Sequence, residues 1–258
     1  MRWTRIPNHT AKDPCIELYH KASQDGLTGR ALQCGALANV AQYRLSFSKA
    51  LSLLSSSGAV LDWRCGNGHF SSFLTHHGFR TVRLSFDQSL DWLKPEPLYT
   101  HACATEPVSL SFEDRRFTAA VIMRVLEHVH ETRGDQLASL LEFARVLEPG
   151  GKLLVFHLPN RYTCIVCLVR QINSCCGIQS SGTAGFSRRP TTSSSCPPHL
   201  SIVECALYNT NLRNPANALP AGLRDSPSFV AGFNLLDDGP TALLPVFAQN
   251  WFLVLRKR

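Results

Sequence analysis

The chain has 258 residues, with 26 Lys and Arg against 19 Asp and Glu, and its charged residues make up 17% of the total, below the usual share of about 25%. At 44% hydrophobic, with 14 Phe and 4 Trp, it can bury the core of one large domain or of a domain with an appendage, which excludes disorder across the whole chain. The longest uncharged apolar runs, 153–156 and 164–169, fall far short of the roughly 20 residues that cross a bilayer. No apolar stretch follows the charged amino end, so the expectation is a cytoplasmic protein without a secretory leader. Ten cysteines are fewer than the share of about 8–10% that marks a disulfide scaffold, and buried thiols in a reducing compartment are expected instead. The excess charge of +7 is scattered, with Arg188-Arg189 and Arg256-Lys257-Arg258 as its clusters. It reads as a mildly basic surface, making nucleic acid an unexpected partner and leaving peripheral membrane contact open.

In chain order, residues 1–48 are read as an amino-terminal helical cap, and 49–258 as one domain interrupted at 171–199. That insertion is low in complexity, and its Ser, Gly, Thr and Pro cannot build a buried face. Residues 47–54 carry apolar side chains at helical spacing and stop at Ser55-Ser56-Ser57-Gly58. A short apolar strand, 59–61, runs into Asp62-Trp63-Arg64-Cys65-Gly66-Asn67-Gly68, after which 69–77 is a helix closed by Gly78. A second strand, 81–86, ends at Asp87, and 88–93 begins another helix. Further on, 117–123 is a strand and 130–147 an amphipathic helix. Pro149-Gly150-Gly151 terminates that helix, and 152–158 is a strand. In the tail, 200–208 is a strand, 222–236 partly helical, and 251–255 a strand antiparallel to 200–208. Such alternation predicts an α/β protein with a mostly parallel sheet and helices on both faces.

The loop after the first strand is the principal motif. Glycines let backbone approach a ligand closely, and the helix that follows offers free N–H groups. The spacing is Asp62-x-x-x-Gly66-x-Gly68, not the G-x-G-x-x-G of dinucleotide sites. Asp87 lies 19 residues beyond Gly68, at the end of the next strand, where a carboxylate can accept both hydroxyls of a ribose.

The run VLDWRCGNGHF (60–70) resembles the first motif of the class I S-adenosylmethionine-dependent methyltransferases. SFDQSLDWL (85–93) is similar to their acidic second motif, SLSFEDRRFTAAVIMRVLEHV (109–129) to the region around their fourth strand, and LEFARVLEPGGKLLVFHLPNR (141–161) to their fifth. NWFLVLRK (250–257) is similar to the antiparallel last strand of that fold. The resemblance implies a doubly wound, mostly parallel seven-stranded sheet with an antiparallel last strand, and S-adenosylmethionine as cofactor. It places Asp62, Gly66 and Gly68 around the methionine part, Asp87 at the ribose and Glu106 facing the adenine. Leu110, Ser111 and Phe112 stand where these enzymes have Leu-Pro-Phe. Glu127 and His128, just past the fourth strand, lie at the mouth of the acceptor pocket as the catalytic candidates.

Two positions depart from the pattern. Arg64 replaces the first glycine of the loop, and Thr118 an aspartate before the fourth strand. The arginine either crowds the cofactor or pairs with an anion such as its carboxylate, while Thr118 bears on structure. Methyl transfer from a sulfonium needs placement and dryness more than covalent help, and a base only when the acceptor must lose a proton. His128 and His130 are candidates for that base, with capping or packing as their ordinary alternative. No Asn/Asp-Pro-Pro-Tyr element of the amino-methylating nucleic acid enzymes is present, so the acceptor expected is oxygen or carbon of a small or lipid-like molecule, as in ubiquinone and menaquinone methyltransferases. A degenerate domain acting as a binding or partner module is the alternative, and tRNA modification a weaker one. Tyr19 or Tyr43 is expected to close over the cofactor. Cys164-x-x-Cys167 sits in an apolar run, and the later Cys175, Cys176, Cys196 and Cys205 keep no matching spacing, so no metal site is expected.

Overall fold

The structure, a computed structural model, describes residues 19–20, 23–24, 36–66, 68–86, 98–160, 197–210, 219–239 and 245–258. Seven strands, β1 (Ala59–Trp63), β2 (Arg80–Ser85), β3 (Tyr99–Cys103), β4 (Phe117–Met123), β5 (Leu147–Pro159), β6 (Leu200–Thr210) and β7 (Ala248–Lys257), form one sheet. Their order is β3-β2-β1-β4-β5-β7-β6. The first five run parallel, and β7 lies antiparallel between β5 and β6. From β1 the chain winds outward through β2 and β3, then returns to the other side of β1 for β4 and β5. That reversal opens a crevice beyond the carboxyl ends of β1 and β4, the place where open α/β sheets bind ligands.

The helices are α1 (Leu37–Val40), α2 (Arg44–Leu53), α3 (His69–His76), α4 (Gln136–Val146), α5 (Ala221–Arg224) and α6 (Pro227–Asp238). Successive strand residues point to opposite faces, and the two halves of the core follow. Val60, Val121, Leu154 and Phe156 pack with Phe47 of α2 and with Phe70, Phe73 and Leu74 of α3. Leu61, Trp63, Ile122, Leu153 and Val155 pack on the other face with Leu140 and Phe143 of α4. Strands buried on both sides read as continuous apolar runs, which is why β1 and β4 were visible in sequence. Helix α3 ends as expected at Gly78, whose φ of 82° suits glycine.

Three expectations are corrected. Residues 130–147 are not one helix: 126–132 form a 3-10 helix, and α4 starts only at Gln136, where the Asp135 side chain accepts the Ala138 N–H at 2.7 Å. Pro149-Gly150-Gly151 does not separate helix from strand but lies inside β5. The register of β5 on β4 shifts there, and a Cβ on Gly151 would stand 2.8 Å from the Glu148 carbonyl oxygen. Strand β3 was not foreseen; it is an edge strand, half-buried to exposed, and carries no apolar alternation to read. Thr118 plays a local part at the amino end of β4, away from the crevice, where its hydroxyl donates to the Ala59 carbonyl at 3.2 Å. The helix expected at 88–93, nearly all of the insertion at 171–199, Arg188-Arg189 and the cysteines at 164, 167, 175, 176 and 196 lie outside the described residues.

Candidate functional site

Three strands that border the crevice carry non-glycine residues in left-handed backbone at its edge: Arg64 after β1 (φ 51°), Arg124 after β4 (φ 56°) and His157 in β5 (φ 60°). Such conformations cost about 1–3 kcal/mol each and collect at functional sites. In the loop itself Gly66 (φ 54°) and Gly68 (φ 75°) supply the other left-handed turns, and the Gly68 N–H returns to the Cys65 carbonyl at 2.9 Å. Helix α3 starts at the next residue.

Below the loop, Asp62 is 1% exposed. It accepts the Ser71 hydroxyl from the first turns of α3, so it ties strand to helix. Burial pushes its carboxyl up to about 7, against the pull of Ser71 and Arg83. Arg83, in the middle of β2, is fully buried. Its guanidinium fans out under the loop, donating to Cys65 Sγ at 2.7 Å, to the Gly66 carbonyl at 3.0 Å and to the Tyr99 hydroxyl at 3.2 Å. Burial in turn pushes the Cys65 thiol up to about 12, so it is a protonated structural group. Sequence reading missed Arg83, although an arginine inside an apolar strand flanked by Val82 and Leu84 was the available signal.

The Arg64 side chain is held by protein contacts. Its guanidinium lies 4.7 Å from the Phe86 ring and 5.0 Å from the Trp63 ring, and donates to the Pro107 carbonyl at 3.2 Å. The side chain thus leans along the carboxyl ends of β1 and β2 toward the segment that holds Glu106.

A cavity of about 420 Å³ opens above the loop. Asp62, Trp63, Arg64, Cys65 and Gly66 line one side, Met123, Arg124, Val125 and His128 the other, and Tyr43, His69 and Phe70 close it. Asp62, Arg64, Gly66 and His128 thus line one cavity. Gly68 sits next to His69 at the start of α3. Glu106 is exposed and does not line the cavity, and Asp87 lies outside the described residues. Glu127 does not line it either; it is 5% exposed, its Oε2 is unbonded, and burial raises its carboxyl above the ordinary range. His128 is exposed, with Nδ1 held 2.7 Å from Glu131 and Nε2 3.8 Å from Glu127. His130 is exposed.

Of the two tyrosines, Tyr43 lines the cavity, whereas Tyr19 donates to Asp225 at 3.2 Å. Tyr43 also touches two histidines unseen in the sequence: His69, ring centroids 5.1 Å apart, and His157, 4.8 Å. His157 is buried, and its backbone N–H donates to the Tyr208 hydroxyl at 2.7 Å. Burial holds both imidazoles below the usual histidine range, His69 at about 4. The 110–112 turn is fixed from α4, because Arg145 donates to the carbonyls of Leu110 (2.7 Å) and Phe112 (2.8 Å) while Glu142 accepts the Leu110 N–H (3.0 Å). Among the described residues no cluster of three or more His, Cys, Asp or Glu side chains could hold a metal, and no helix is long and apolar enough to cross a membrane.

Comparison with known proteins bears on this geometry. Residues 61–155 match a family model described as a methyltransferase domain. An uncharacterised protein of Methanocaldococcus jannaschii is 35% identical over 96 residues, which make up 37% of this chain and 39% of that protein; the chain thus matches well under half of its relative's length. Among solved structures, MccD protein shares 15% identity with a TM-score of 0.54, over 83% of this chain and 97% of the other. An S-adenosylmethionine-dependent methyltransferase of Methanosarcina mazei shares 16% with a TM-score of 0.52, over 81% and 96%. A phosphoethanolamine N-methyltransferase of Haemonchus contortus, solved with S-adenosylmethionine, shares 12% with a TM-score of 0.51, over 83% and 51%. At these identities the structures speak for the fold, and the family model falls on β1 through β5. Residues 61–155 are thus similar to a methyltransferase domain, and the sheet order is that of the class I S-adenosylmethionine-dependent methyltransferase fold.

Proposed function

We propose that the chain binds S-adenosylmethionine and transfers its methyl group to oxygen or carbon of a small or lipid-like molecule. The observation that carries this reading is the cavity at the carboxyl ends of β1 and β4, where the glycine loop and a set of aromatic and imidazole side chains face one space. Its volume, about 420 Å³, lies within the range of about 300–1,000 Å³ usual for small-molecule sites. The residues present fit the cofactor: left-handed Gly66 and Gly68 bring backbone close, and the buried Asp62 and Arg83 hold the loop that would cradle its methionine part. Asp87 would take the ribose, and Glu106 would stand near the base. Bound there, S-adenosylmethionine supplies a methyl group already activated on sulfur. The protein's own work is then to seat the acceptor and exclude water, with Tyr43, Phe70 and Met123 as the apolar walls. Tyr43, just before α2, closes this space. Calorimetry with S-adenosylmethionine tests the reading, and absence of binding at millimolar concentration would sink it.

A second reading, a domain that keeps the fold as a partner module, rests on Arg64. Its guanidinium covers Phe86 and bonds the Pro107 carbonyl, in the direction in which the cofactor's base would lie. Reverting Arg64→Gly separates the two. A rise from undetectable to micromolar cofactor affinity would mark a lapsed site; a fall would mark Arg64 as a working contact.

A further inference from the structure

Among the polar side chains of the cavity, most are already engaged. Asp62 is bonded to Ser71, Arg64 to the Pro107 carbonyl, and His128 Nδ1 to Glu131. His69 is different: it is 8% exposed, and neither of its ring nitrogens has a hydrogen-bond partner. A buried polar group left unbonded is costly, and native proteins rarely keep one without a reason. The ring is not free to turn away, because Tyr43 meets it edge-on and Phe47 stacks on its other side at 6.2 Å.

We infer that His69 is the side chain that receives the methyl acceptor, taking the hydrogen bond and then the proton of a phenolic or enolic hydroxyl seated between Tyr43, Phe70 and Met123. This deepens the methyltransferase reading and rests on it. Planar aromatic walls suit a flat acceptor, and a neutral imidazole, held so by burial, presents one acceptor nitrogen to a hydroxyl. Arg124 lines the same cavity, and its cation helps to keep His69 neutral until the acceptor is seated. The other titratable groups facing His69 are Tyr43, His157, His128 and Asp62. In the balanced step the new O–C bond forms as the C–S bond breaks to leave a neutral thioether, and the O–H proton passes to His69 as the oxygen gains positive charge. Oxygen is the nucleophile, and no electrons are exchanged with an outside reagent. His69 takes this role in place of His128, whose exposed ring is committed to Glu131.

The test uses the full chain, loaded with S-adenosylhomocysteine and titrated with para-cresol, followed by calorimetry and by nitrogen NMR of the imidazole rings. The expected result is saturable binding that fixes one tautomer of His69. His69→Phe should lose about tenfold in para-cresol affinity, the worth of one buried hydrogen bond, and His69→Gln should recover part of it, with thermal midpoints confirming that both variants fold. Para-cresol binding to His69→Phe as tight as to the natural chain, or no binding to the natural chain at millimolar concentration, overturns the inference. Failure of S-adenosylhomocysteine itself to bind is a separate result, and it overturns the methyltransferase reading beneath it.

Discussion

Replacing Arg83 by Met keeps the length of a buried strand residue and removes three donors from beneath the cofactor loop. Cys65 Sγ, the Gly66 carbonyl and the Tyr99 hydroxyl lose partners at 2.7, 3.0 and 3.2 Å. A hydrogen bond to a charged group is worth about 1.5–3 kcal/mol, and three that share one guanidinium do not add fully. Against that loss stands the gain from no longer burying a cation. We expect a net loss of about 2–4 kcal/mol, which for a domain of this size lowers the thermal midpoint by about 4–16 °C. Cofactor affinity should fall by at least about tenfold beyond any effect of unfolding, because the Gly66 carbonyl is released to turn. Arg83 also pulls the Asp62 carboxyl down, so Asp62 should titrate higher still in the variant. Calorimetric unfolding, cofactor titration below the unfolding transition, and carboxyl NMR of Asp62 read the three effects. A variant whose stability and cofactor affinity both match those of the natural chain would refute the assignment of Arg83 as the support of the loop.

Asp62→Asn should gain stability relative to the natural chain as pH rises. The folded-state carboxyl titrates near 7 instead of 3.8, so its contribution is intact below about pH 4 and is lost by about pH 7, by up to about 4 kcal/mol; urea unfolding at both ends of that window reads the gap. His69 has the opposite sign. Its value of about 4 against 6.5 gives stability present above pH 6.5 and lost as pH falls toward 4, by up to about 3 kcal/mol, and His69→Phe should be the less acid-sensitive protein; equal slopes would contradict the burial argument. Arg145→Ala frees the 110–112 turn from its bonds to Leu110 and Phe112 and should cost about 2–3 kcal/mol in denaturant unfolding. Gly151→Ala forces a Cβ to within 2.8 Å of the Glu148 carbonyl oxygen and 3.2 Å of that of Thr118. A loss of about 1–3 kcal/mol is expected there, and an unchanged midpoint would mean that the β4–β5 backbone yields easily.

The sequence alone determined the parts whose signals are local. β1 and β4 are short runs of buried apolar residues, and α3 is closed by a glycine in left-handed backbone; the loop between β1 and α3 advertised itself through Gly66 and Gly68 because only close backbone approach demands that spacing. Asp62 and His128 were named through the family resemblance of the runs that contain them, and both line the cavity. What depended on distant chain segments was not legible. The start of α4 was set by Asp135 and by the 3-10 helix before it, edge strand β3 had no apolar alternation, and Pro149-Gly150-Gly151 joined a strand because β4 pairs beside it. Arg64 stood out in the sequence as a departure from the glycine pattern, yet only the placement of Phe86 and Pro107 decided where its charge goes. Tyr43, His69 and His157 come from the segment before α2, from α3 and from β5, 26 to 114 residues apart along the chain, and meet because the sheet's topological reversal brings the carboxyl ends of its strands together. A local pattern records what each segment needs for itself; the chemistry of the cavity depends on which side chains are desolvated together, and only the tertiary structure sets that.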